Sequence, residues 1–183
     1  MKYVEAIKKI EDIQAIKQFL KDQSLRDYLL FVMGINTGLR ISELLCLRWE
    51  DVLDNDGDVK EFLQLPNLPP IYLNQQVQIS ISEYLNNELP NQDHFIFQSK
   101  KLSGPISRQQ AYRIINSAAK EVGIPDKIGT HTLRKTYGYH AFNKGIAISL
   151  LQKIFNHTSS SETLRYLGIT KCKDSPVKID VNL

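Results

Sequence analysis

The run SLRDYLLFVMGI, residues 24–35, constrains this chain more than any other. A serine placed to cap a helix is followed by a segment that becomes apolar on every face. A helix of that kind is stable only when protein surrounds it. The 183 residues, 42% of them hydrophobic, are enough to bury it in one core. The chain therefore reads as one helical domain, residues 1–183, built around a central helix, with its core over about residues 10–168.

The neighbouring segments supply the wrapping. Ile10, Ile13, Ile16 and Leu20 recur at helical spacing, and ISELLCLRWEDV predicts a third, short helix. DNDGD is a turn, and VKEFLQLPNLPPIYL gives two short extended runs about a bend. Pro66, Pro69 and Pro70 exclude regular central strands there. VQISISEYLNNEL reads as helical from its context despite its β-branched residues, and HFIFQ as a short extended link. SRQQAYRIINSAAKEVG, HTLRKTYGYHAFNKG, ISLLQKIFNH and SSETLRYLGI, bounded by Gly, Ser, Thr or Asn, predict four more helices. Residues 169–183 form an extended tail in this reading. The fold class is mainly α with a small β-hairpin, α+β.

Several functions are excluded early. The sequence has no apolar run long enough to span a membrane. MKYVEAIKKIEDIQ places acidic residues within an amphipathic pattern, unlike a secretory leader. The expectation is a soluble, cytoplasmic protein without a membrane partner. Cys46 and Cys172 stand far apart with no CxxC, which favours reduced thiols over a zinc site. Charge is divided unevenly. Residues 1–100 carry 10 Lys and Arg against 15 Asp and Glu, whereas residues 101–183 carry 13 against 5. The basic half favours a polyanion as partner, the alternative being a merely solvated basic face.

Within that half, HTLRKTYGYH places His131 and Arg134 three positions apart, on one helical face, where both can address one anion. Arg40 in NTGLRISELL follows a glycine at a helix start, beside exposed N–H groups that suit a phosphate. It can equally pair with Glu43. In IFNHTSSSETLRYLGIT, Tyr166 follows His157 by nine residues and lies in a short, polar-flanked helix. Taken singly, His131 reads as a helix-start residue, His157 as a helix-end residue and Tyr166 as a surface tyrosine. Tyr137, Tyr139 and His140 are assigned to packing.

Taken as a set, TGLR, HTLR, NH and RYLGI resemble the catalytic domain of the tyrosine recombinases, the phage integrase family. The family pattern is Arg, His-x-x-Arg, His or Trp, then a nucleophilic Tyr. Its positions fall on Arg40, His131, Arg134, His157 and Tyr166, and the resemblance runs from about residue 10 to the end. It implies cleavage and rejoining of duplex DNA through a 3′-phosphotyrosyl link, in site-specific recombination or integration of a mobile element. Tyr166 attacks, Arg40 and Arg134 clamp the phosphate, His131 takes the tyrosine proton or orients the phosphate, and His157 donates a hydrogen bond to it. No metal or other cofactor is implied. Self-association on DNA, with the tail packing on a neighbouring subunit, and an accessory targeting protein complete the expected partners.

Two departures accompany the match. Active members carry a hairpin lysine that protonates the leaving oxygen. Counting back from IYL at residues 71–73 places Gln64 there, with Lys60 four residues upstream. A lost general acid costs about 10²–10⁴ in rate. The N-terminal clamp domain of complete recombinases is also absent from the expected organisation. The alternative reading is a catalytically impaired DNA-binding or regulatory protein on the same fold.

Overall fold

The computed structural model describes residues 4–85, 90–99, 103–124 and 128–169. From residue 170 onward the expected tail, with Cys172, lies outside the described residues.

Helix α1 spans Ile10–Gln23 and α2 Leu25–Thr37, with Ser24 between them. Ser24 closes α1 through its N–H, and its hydroxyl accepts from the N–H of Asp27 in α2. The prediction of a fully surrounded helix holds: Tyr28 through Gly34 of α2 are buried without interruption. Ile13, Ile16 and Leu20 bury the inner face of α1, whereas Ile10, at its first residue, stays exposed.

The single helix expected over ISELLCLRWEDV is two, α3 (Ile41–Leu45) and α4 (Trp49–Val52). The reason lies in a competing set of hydrogen bonds. Trp49 N–H donates to His94 O, Glu50 N–H to Gln92 O, and Ile96 N–H returns a bond to Leu47 O. These bonds use backbone groups that a continuous helix would need. The same pairing reshapes HFIFQ, which forms isolated bridges at Phe95 and Gln98 around a turn that buries Ile96 and Phe97.

The hairpin is small. Strands β1 (Phe62–Leu63) and β2 (Ile71–Tyr72) pair antiparallel in the register Phe62↔Tyr72 and Leu63↔Ile71. Leu63 is buried beneath it, while Phe62 and Tyr72 stack on the exposed side. Helix α5 (Gln75–Leu85) follows, its start capped by the Asn74 side chain on Val77 N–H, and Val77 and Ile81 pack inward. Two of its β-branched residues, Val77 and Ile81, thus sit in a helix because they fill the core, while Ile79 faces outward.

Helix α6 (Arg108–Glu121) begins with a reciprocal cap between Ser107 and Gln110. Helix α7 (Thr130–Asn143) packs on α2, and Thr132 through Thr136 are all buried. Helices α8 (Ile148–Phe155) and α9 (Ser160–Leu167) pack on each other and on α7. Asn156 at φ 55° ends α8 and Gly168 at φ 68° ends α9. The buried apolar side chains form two clusters. A large one is centred on α2, and a small one holds Leu151, Phe155 and Leu167 beneath α8 and α9. Among the described residues no helix is long and apolar enough to cross a membrane.

Candidate active site

Arg134 is the centre of the site. It projects from the stretch Thr132 through Thr136 of α7, where every residue is buried; Arg134 is 8% exposed, and a guanidinium so placed needs fixed partners. Nη1 donates to Gly38 O at 2.8 Å and Nη2 to Ile154 O at 3.2 Å, while the group stands 4.8 Å from the centre of the Phe155 ring. Gly38 can offer that carbonyl because it ends α2 in the left-handed conformation, at φ 68°. A side chain there would also meet the Tyr137 ring, its Cβ lying 2.7 Å from Cδ1.

The same turn delivers Arg40, two residues on, as the residue before α3. Its exposed guanidinium pairs with Glu43 at 2.9 Å, and its N–H donates to the same carboxylate at 2.6 Å. Glu43 lies 3.9 Å from Arg134, so one carboxylate faces both arginines. The pairing with Glu43 weighed for Arg40 is therefore present, and it coexists with a position beside Arg134. A cleft of about 460 Å³ opens here, bounded by Arg40, the hairpin turn from Leu65 to Pro69, and Lys153 and Asn156 at the end of α8.

His157 and Tyr166 close the other side. Their rings meet edge to face with centroids 5.0 Å apart, and both pack on Phe155. His157 is held by Nδ1, 3.0 Å from the Thr163 hydroxyl. Burial lowers its pKa and Arg134 and Arg40 lower it further, against the pull of Glu162. Burial raises the pKa of the Tyr166 phenol, and the cations of Arg134 and Arg40 act in the opposite direction. These opposed influences show that the four groups share one electrostatic neighbourhood.

His131 occupies the first turn of α7, exposed at the rim. Its pKa is lowered, first by burial of the ring and then by Lys135, Arg134 and Arg108, so the imidazole is neutral near pH 7. Thus the other four expected residues all lie within electrostatic reach of Arg134. Of the residues assigned to packing, Tyr137 is half-buried against Phe155, and His140 reaches Ile7 O through Nε2 at 2.9 Å.

The sequence reading missed Lys135. It is buried beside Arg134, donates to Val4 O at 2.8 Å, and stands 5.1 Å from the centre of the Tyr166 ring. It also missed Thr163, fully buried between His157 and the backbone. Adjacency to the motif was the one sign for Lys135, and Thr163 gave none.

Gln64 is the exposed residue directly after β1, while Lys60 lies before β1 with its ammonium on Glu50 O at 2.7 Å. Among the described residues no group of three or more His, Cys, Asp or Glu could hold a metal ion.

Comparison with known proteins gives the chain its family and its fold. Residues 8–172 match the Phage integrase family. The chain is 41% identical over 169 residues to the probable integrase/recombinase YoeC of Bacillus subtilis (strain 168), covering 92% of each protein. It is 33% identical over 147 residues to the type 1 fimbriae regulatory protein FimE of Escherichia coli (strain K12), covering 77% of this chain and 73% of FimE. Among solved structures, XerA recombinase superposes with a TM-score of 0.74 at 19% identity, over 92% of this chain and 60% of that one. A lambda integrase dimer bound to a COC′ core site superposes at 0.64 and 20% identity, over 99% of this chain and 65% of that one. The structural likenesses speak to fold, the sequence matches to descent, and together they place the chain in the phage integrase family of tyrosine recombinases.

Proposed function

We propose that the protein cleaves and rejoins duplex DNA through a covalent bond between Tyr166 and the 3′ phosphate, in site-specific recombination or integration of a mobile element. The observation that carries this is the convergence of Tyr166, His157 and Arg40 on the buried Arg134. The Tyr166 oxygen attacks phosphorus, and the bond from phosphorus to the 5′ oxygen breaks. Arg40 and Arg134 hold the non-bridging oxygens with forked donors while charge accumulates on them. Neutral His131 takes the phenolic proton or orients the phosphate, and His157 donates a hydrogen bond to it. The covalent link conserves the bond energy, so rejoining needs no nucleotide. Self-association on DNA and an accessory targeting protein belong to the same proposal.

One observation favours a second reading. Gln64 is not an acid, and the ammonium of Lys60 is engaged at a backbone carbonyl. On that reading the protein binds DNA without forming an adduct. Relaxation of supercoiled plasmid without ATP or magnesium separates the two, using native protein, Tyr166→Phe and Gln64→Lys. Relaxation by native protein that is lost in Tyr166→Phe supports the enzyme. Activity appearing only in Gln64→Lys supports the binding protein.

A further inference from the structure

His157 can present either of two ring nitrogens to a ligand, and the protein determines which one carries a proton. Its Nδ1 lies 3.0 Å from Thr163 Oγ1, and the same Oγ1 lies 3.2 Å from Ser159 O. A hydroxyl carries one proton. Ser159 O can only accept, and with the Thr163 proton directed to it the hydroxyl oxygen is left to accept from His157. Thr163 is fully buried, so water does not compete for the hydroxyl.

We propose that Thr163 is a positioning residue that fixes the neutral His157 imidazole with its proton on Nδ1, so that gripping a phosphate oxygen through Nε2 requires the uptake of one proton. The second half rests on the reading of the site as a phosphate site. A neutral ring in this form meets an anion with a lone pair at Nε2, which repels it. The ring becomes a donor there only as imidazolium. The charged groups around it are divided: Arg134 of α7 and Arg40 before α3 disfavour that proton, and Glu162 of α9 favours it, with the Tyr166 ring alongside. An anion seated between the arginines cancels their opposition, so phosphate and proton bind together. The grip then weakens as pH rises, and above the pKa of the free ring, Nε2 becomes a donor only when a phosphate brings the proton with it.

The test uses the full chain labelled with ¹⁵N-histidine, with His157 assigned by its loss in His157→Gln. Long-range ¹H–¹⁵N spectra near pH 8 report the proton position directly. Native protein and Thr163→Ser are expected to show the proton on Nδ1, and Thr163→Val a shift toward Nε2. A native ring with its proton on Nε2, or a Thr163→Val ring identical to native, overturns the proposal without touching the functional reading. Sulfate, which does not titrate in this range, probes the second half. Its affinity, read from the His157 signals, is expected to fall about tenfold per pH unit above the pKa of the free ring. That slope is expected to flatten in Thr163→Val. Sulfate binding at a constant affinity across pH overturns the proton linkage. Sulfate that leaves His157 unperturbed at every pH counts against the phosphate site itself.

Discussion

The two sides of the site rest on different foundations. Arg134 and the Gly38 turn that carries Arg40 are set in the large cluster around α2, where side chains from most of the helices interlock. His157, in the turn after α8, and Tyr166 of α9 rest on a separate cluster with Leu151, Phe155 and Leu167 at its centre. The anion-binding side is therefore braced by the whole domain. The nucleophile side is braced by one small cluster, the Arg134 bond to Ile154 O, and packing on α7. A site divided in this way can keep Arg134 fixed while the Tyr166 side opens locally, since opening the smaller unit exposes less apolar surface.

The comparison can be broken most completely at the chemistry. Tyr166→Phe is expected to abolish the covalent DNA adduct, read on a denaturing gel, while DNA binding persists; an adduct that survives removes Tyr166 as nucleophile. Next come the two cores. Phe31→Ala, in the large cluster, is expected to lower global stability by about 3–5 kcal/mol in urea denaturation. Leu167→Ala is expected to act locally, accelerating amide exchange in α8 and α9 while α2 stays protected. Equal acceleration in α2 would show that the two clusters form one cooperative unit.

A finer version uses two glycines on the helix contacts. A Cβ at Gly34 would lie 2.4 Å from Leu133 Cδ1, and one at Gly138 would lie 2.6 Å from both Leu167 Cδ2 and Phe155 Cζ. Each alanine substitution introduces overpacking that costs about 1–3 kcal/mol. Gly34→Ala is expected to reduce the denaturation midpoint. Gly138→Ala is expected to reduce adduct formation more than stability, because it pushes the Tyr166 side away from α7.

The smallest effects are electrostatic. Lys135→Met removes a cation that opposes protonation of His131, so the His131 pKa is expected to rise in an NMR titration. Burial, the larger cause, keeps it below the ordinary value. For His157 the folded pKa lies below the unfolded one, so the unfolded chain binds more protons between the two. Stability is expected to fall as pH drops from about 6.5 and to level off below the folded pKa, with a shallower decline in His157→Gln.

Much of this was legible in the sequence, and the reasons differ by region. The central helix, the hairpin between prolines and the four C-terminal helices follow from period, caps and turn residues, which act over a few positions. The split between α3 and α4 was not legible. It depends on backbone bonds from residues 47–50 to residues 92–96, and local pattern carries no trace of a partner that distant. The residues proposed for the chemistry stood out as a set because their order and spacing resemble a family pattern. Lys135 and Thr163 escaped because their roles arise from burial and from a neighbour's ring, which are properties of the assembled fold.

The bond from Arg134 to Gly38 O joins residues 96 positions apart. Such a contact forms only after a long loop has closed, late in the order in which a chain gathers its structure. Helix α9 closes on itself over a few residues, whereas the two arginines come together only when distant parts of the chain have met. On the proposed function, the grip on a phosphate is thus a property of the assembled fold and not of any one segment.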